Sequence, residues 1–171
     1  METEETTRRG GWVAKKRLLI VIPAAAVIAI AGSVGLWAAL KHSNGSGATP
    51  ALPSSMTSSA KIPLYFPKHL SEFHLVAGSA ALEQPTLANF TLQSTNGAQL
   101  IIIEQSRPPI MEEVTKTREF NTSIGHAYLA NLNGRTAGFI VTSKTLIIIN
   151  KVGSIDDQRL VDLMNSMTSV N

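Results

Sequence analysis

Two regimes of hydrophobic patterning divide this chain. Residues 18–40, LLIVIPAAAVIAIAGSVGLWAAL, are 23 consecutive positions without a charge, bracketed by Lys15, Lys16 and Arg17 before and Lys41 after. As a helix rising about 1.5 Å per residue the run covers roughly 34 Å, enough for a hydrocarbon core of about 30 Å. Beyond residue 61 the period changes. Ala88, Phe90 and Leu92 alternate with Asn89, Thr91 and Gln93, the period-two pattern of a half-buried strand. Asn96-Gly97 then precedes a second run over 98–105, and Asn-Gly between two such runs predicts a hairpin closed by a type I′ turn. The device recurs at Asn133-Gly134, between runs over 125–132 and 135–142. A tight turn near Ser143-Lys144 leads into Leu146, Ile147, Ile148 and Ile149, whose consecutive apolar side chains predict a strand covered on both faces.

One cover is a terminal helix. Leu160, Leu163, Met164 and Met167 fall at i, i+3, i+4 and i+7, a single apolar stripe. Ser154 is the expected cap, with Asp157 at the third helical position completing a capping box. A second, short helix is expected between Pro109 and Arg118, where Pro108-Pro109 starts it and Glu112 to Lys116 is an i,i+4 pair. The expected class is α+β: one N-terminal transmembrane helix, a flexible stalk, and a small antiparallel β-sheet domain with a packed C-terminal helix.

Length distinguishes an anchor from a cleaved signal. A secretory apolar region is usually about 7–15 residues long and ends in a small-x-small cleavage site. Bulky Trp37 spoils the site ending at Ala39, and Ser46-Gly47-Ala48 lies well past the run with Pro50 close behind. Pro23, near the start of the span, is tolerated, and Trp37 sits where an interfacial aromatic belongs. Arg8, Arg9, Lys15, Lys16 and Arg17 precede the span, against Lys41 just after it. Basic residues resist translocation, so the reading is a cell-membrane protein with one span, its amino terminus cytoplasmic and its C-terminal domain extracytoplasmic. The expected domains are a basic tail over 1–17, the span over 18–40, a Ser/Thr/Pro/Gly-rich linker over 41–61 and the folded part over 62–171. The linker, KHSNGSGATPALPSSMTSSAK, has almost no large apolar residue and as a coil would extend roughly 25 Å.

Charge and composition narrow the function classes. The net charge of +3 is uneven: residues 62–171 carry eight basic and nine acidic groups, so the excess belongs to the tail and linker. Nucleic acid is therefore not an expected partner, whereas contact of the tail with anionic lipid is. With no cysteine there is neither a disulfide framework nor a thiolate metal site, and about 110 residues must be held by their own core.

The candidate chemistry is thin. His69, Glu72 and His74 in HLSEFH are the nearest approach to a metal site, but a zinc helix needs histidines four apart and here they are five apart. In the inverted H-x-x-E-H pattern Phe73 stands where the second histidine belongs. His126 and Tyr128 share one strand face, and no neighbour in sequence activates the imidazole. No G-x-S-x-G elbow, P-loop or G-x-G-x-x-G is present. Adjacent Glu112-Glu113 do not face one another on a helix, and Asp156-Asp157 suit a helix start. Glycosylation-type triplets begin at Asn44, Asn89 and Asn121, and Ala31, Gly35 and Ala39 form a small-xxx-small ladder that could pack two spans weakly together.

The block Ile62-Pro63-Leu64-Tyr65-Phe66-Pro67-Lys68-His69-Leu70, the β-meander with Asn-Gly turns and the terminal LVDLMNSM resemble a small bacterial extracytoplasmic domain family of unknown function. Such domains occur behind a membrane span or lipid anchor in anti-sigma-like and sporulation-associated envelope proteins. Here the seventeen-residue tail is too short for a sigma-factor-binding helical domain. The resemblance implies a sensing or scaffolding module without that intracellular half. The expectation is a non-enzymatic, cofactor-free domain that binds a protein, peptide or envelope ligand. The alternative is a structural or assembly subunit of a larger membrane complex.

Overall fold

The computed structural model describes residues 51–70, 72–108, 114–132 and 134–171. The expected span, the basic tail and the first part of the linker lie outside the described residues. No helix among the described residues is long and apolar enough to cross a membrane.

Ten strands and two helices are formed among the described residues. In chain order they are α1 (Ser54–Ser59), β1 (Tyr65–Pro67), β2 (Phe73–Leu75), β3 (Ala81–Gln84), β4 (Leu87–Ser94), β5 (Gln99–Ser106), β6 (Lys116–Asn121), β7 (His126–Leu132), β8 (Arg135–Val141), β9 (Thr145–Val152), α2 (Asp157–Ser166) and β10 (Met167–Ser169). Eight strands make one sheet in the order β2-β4-β5-β9-β8-β7-β6, with β3 also pairing with β4, while β1 and β10 form a separate ribbon. Every pairing is antiparallel. The fold is thus a mostly antiparallel sheet with a C-terminal helix.

The alternation that marks the strands in the sequence also sorts their side chains. Along β4 the burial reads half-buried, buried, half-buried without a break, and β5 repeats it. Ala88, Phe90, Leu92, Leu100, Ile102, Ile147, Ile149, Leu129 and Ile140 point to one face and join the main core. On that inner face lie Leu160, Val161, Leu163 and Met164 of α2. Burying such a side chain contributes about 1.5–3 kcal/mol, far more than the helix gains from propensity. Gly138 seats the helix: a Cβ there would stand 2.7 Å from Met164 Sδ. The opposite, outer face carries a smaller cluster of Tyr128, Ala130, Ala137, Phe139 and Leu146, with Val114, Leu132, Val141 and Ile148 packed at its margin. The run Leu146–Ile149 is therefore apolar at consecutive positions because each parity feeds a different cluster.

Several expectations are corrected. The cap of α2 is Asp156, whose side chain accepts from Arg159 N at 2.9 Å, and not Ser154, which lies too far upstream to reach the first turn. The helix stops at Ser166, so Met167 completes the apolar stripe from β10, still buried. The expected helix between Pro109 and Arg118 is not formed at its end, where Lys116–Asn121 pair with β7. Cross-strand hydrogen bonding outweighs the i,i+4 pair there, and residues 109–113 lie outside the described residues. At Asn96-Gly97 the connection is not a type I′ turn. Ser94 N donates to Ala98 O and Gly97 N to Ser94 O, with Gly97 at φ +85°, a type I turn closed by a left-handed glycine. At the second Asn-Gly, Leu132 pairs with Arg135, and Asn133 itself lies outside the described residues.

The end of the expected linker is folded. Leu52 and Met56 are buried in the main core with Ile62, and α1 packs beside β3. One apolar side chain before a short helix and one within it were enough, with the sheet already present, to order residues that composition alone reads as coil.

Candidate functional site

Three places carry polar chemistry, and each is set by the strand order. Alongside α2 is an open cleft of about 460 Å³ lined by His69, Leu70, Glu72, Phe73, Arg159, Asp162, Leu163 and Ser166. It brings two of the residues singled out in the sequence, His69 and Glu72, near one another. The charges there satisfy themselves: Arg159 bonds Glu72 at 2.9 Å and Asp156 at 3.1 Å, and Asp162 accepts from Gln158 Nε2 at 2.8 Å. His74 is exposed on β2, whereas His126 is on β7. Four strands separate them in the sheet, roughly 24 Å at the usual strand spacing. The three histidines share no cleft, and no group of three or more metal-ligating side chains exists among the described residues.

The second place is the cross-strand cluster at the β6–β7 edge. His126 Nε2 lies 3.0 Å from Glu119 Oε2, and its Nδ1 lies 3.3 Å from Asn121 Oδ1. Lys116 Nζ bonds Glu119 at 3.3 Å and stands 5.2 Å from the centroid of the Tyr128 ring. The bonds from Lys116 and then His126 hold the Glu119 carboxyl below its ordinary range. Burial raises the Tyr128 phenol, with the Glu119 charge adding to it. Sequence reasoning left His126 without a neighbour because Glu119 stands on an adjacent strand that was read partly as helix. An exposed carboxylate of this kind holds a surface network and little stability.

The third place is inside. Glu104 continues the parity of Leu100 and Ile102 and is fully buried on the inner face. Both its carboxyl oxygens face the backbone N–H of Tyr65, at 3.1 and 3.0 Å. Burial pushes its carboxyl up to about 8, with the Tyr65 bond opposing that shift in part. The strand alternation alone could have found it, since it places 100, 102 and 104 on one side.

What remains for a binding role is the outer face. Along its middle strands it presents Asn89, Thr91 and Gln93 from β4, then Gln99, Ile101, Ile103 and Gln105 from β5, in register with Ile148 and Asn150 of β9. Ile101, Ile103 and Ile148 are each only half-buried, continuing outward from the Tyr128–Phe139 pair, whose rings stack with centroids 5.0 Å apart. The result is an apolar strip bordered by amides and hydroxyls. No family model, curated protein or solved structure matches this chain.

Proposed function

We propose that the protein is a single-pass membrane protein whose extracytoplasmic domain binds a protein or peptide partner of the cell envelope through the outer face of its sheet. The observation carrying this reading is the half-buried strip Ile101, Ile103 and Ile148, whose immediate cross-strand neighbours Asn89, Thr91 and Asn150 are amide and hydroxyl side chains. Interface cores are depleted in charge and keep apolar anchors within a polar surround, and this strip has that make-up. The membrane part rests on the uncharged run 18–40 and the basic residues before it. The tail touches anionic lipid, and catalysis and cofactors play no part in the reading.

The test has two arms. A phosphatase reporter fused after Asn171 is active outside the membrane, and activity of a cytoplasmic reporter at the same place overturns the topology. A photo-crosslinking side chain at Ile103 or Ile148 captures one discrete partner in intact cells, while the same group at Asp162 on α2 does not. Equal labelling from both faces removes the outer face as the site. A partner that survives removal of residues 62–171 points instead to assembly through the span, where Ala31, Gly35 and Ala39 allow close helix approach.

A further inference from the structure

The segment that joins the linker to the sheet is held from beneath by one buried acid. Residues 62–67 cross the inner face as a strap: Leu64 is wholly buried, and the Phe66 ring lies 5.4 Å from that of Phe90. Apart from the β1–β10 ladder, the strap's polar backbone is tied at four points. Thr145 Oγ1 donates to Pro63 O at 2.9 Å, Leu64 N donates to Asn171 Oδ1 at 2.7 Å, Val170 N donates to Leu64 O at 3.0 Å, and Asn171 Nδ2 donates to Ile62 O at 3.2 Å. The fifth tie is the Tyr65 N–H to Glu104.

That fifth tie differs from the rest in kind. Among the described residues Glu104 is the charged side chain in the buried set, beside Ser94, Thr142 and Thr145. A buried carboxylate is tolerated where a cation or several donors surround it. Glu104 has one amide N–H. Its neighbours across the strands are Ala88 and Ile147, and Ile102 precedes it on the same face. No titratable residue occurs on β4 or β10. On β9, Lys151 turns to Ile155 O and the Asp157 carboxylate, and on α2 Asp157, Arg159 and Asp162 are exposed. From β1 the neighbouring titratable group is Tyr65 itself, whose main chain makes the bond.

We propose that Glu104 is a proton-operated clasp: its neutral carboxyl keeps the strap 62–67 shut on the inner face, and ionisation releases the strap together with β10. Ionisation inside the closed site would strand a charge with a single donor, so the carboxylate is better accommodated when the strap lifts and water enters. Because the strap connects α1 to the sheet, opening it loosens how the amino-terminal end of the folded domain is held, whatever its partner. The sign follows from proton binding. The closed form holds the proton up to about pH 8, whereas an opened, hydrated glutamate releases it near 4.5. Closure is therefore fully favoured below about 4.5, weakens as pH rises through that window, and levels off above about 8.

Amide hydrogen exchange of the full chain in detergent micelles, corrected for intrinsic base catalysis, tests this between pH 5 and pH 9. Protection at the Tyr65 amide is expected to fall by up to about tenfold per pH unit until about pH 8 and then to flatten, and at every pH to stay well below that of Leu92 in the central strand β4, which exchanges only through a larger opening. In Glu104→Gln the Tyr65 slope disappears. Asn171→Ala leaves the slope but raises exchange along the strap at every pH. The proposal is overturned if Tyr65 and Leu92 are equally protected at every pH in the parent chain, because the strap then opens only with the whole fold and is no clasp. It is also overturned if Glu104→Gln retains the parent slope. Should that variant not fold, the parent comparison of Tyr65 with Leu92 decides alone.

Discussion

The inner and outer faces of the sheet are built from alternate residues of the same strands, yet they end in different chemistry. On the inner face, Leu92, Leu100, Ile102, Ile140, Ile147 and Ile149 are inaccessible, and α2, the strap and α1 close over them. On the outer face the buried cluster is confined to β7, β8 and the start of β9, and it fades through half-buried Ile148, Ile103 and Ile101 into amides on β4. The inner face is a core and uses its one acid, Glu104, against a backbone amide. The outer face instead places the polar side chains Lys116, Glu119 and His126 at the exposed β6–β7 edge. Period-two alternation thus specifies a strand without saying which parity will be sealed. The sealing elements decide it.

The sharpest way to break this contrast is on the inner side. Leu160→Ala removes a fully buried side chain from the centre of the α2 stripe and is expected to cost about 2–5 kcal/mol, measured by denaturant unfolding of the full chain. That is a large share of a typical stability of about 5–15 kcal/mol. Leu163→Ala belongs to the same range, since Leu163 is also buried in the main core. A parent-like unfolding curve for both would show that α2 leaves the sheet, and the inner face would then compete with the outer one as the binding surface.

Capping gives a smaller, more local effect. Asp156→Ala removes the acceptor for Arg159 N and an ion pair to the Arg159 guanidinium, so a loss of about 1 kcal/mol is expected. Ser154→Ala, the substitution that sequence reasoning would have chosen, is expected to leave stability within about 0.5 kcal/mol because Asp156 makes the cap. Thermal melts of the pair decide between the two assignments. A larger loss at Ser154 would return the cap to it.

Much of the sheet was legible because its long strands announce themselves twice, by alternation and by the turns between them. Strands β4, β5, β7, β8 and β9 all fall where the runs and the glycine turns put them. The short elements were not legible. β1, β2 and β10 are three residues each, too few for a period, and β1 ends in a proline that reads as a breaker. β6 carries Lys116, Arg118 and Glu119, the charged composition that protects a sheet edge, which on its own suits a helix surface equally well. α1 folds only because the sheet supplies a place for Met56. The same reasoning explains the site. His69 and Glu72 are close in sequence and in space, whereas the pairs Glu119–His126 and Glu104–Tyr65 are made by strand order and strap crossing, which no local spacing encodes.

A substitution of small expected cost most sharpens the comparison of faces. Ile103 lies on β5 between inward Ile102 and inward Glu104, opposite Asn89 on one side and Ile148 on the other. Because it is only half-buried, Ile103→Thr keeps the β-branched shape while removing less buried area than the same change in the core, and stability should change by about 1 kcal/mol. Ile102→Thr, one position away, places a hydroxyl in the sealed core and is expected to cost several-fold more. The two variants share composition and strand, so the difference between their unfolding midpoints isolates the face alone. If the outer strip binds a partner, Ile103→Thr lowers crosslinking from a probe at Ile148 while leaving the melt nearly unchanged. If instead Ile103→Thr destabilises as strongly as Ile102→Thr, the outer strip is sealed in the native chain and belongs to the core.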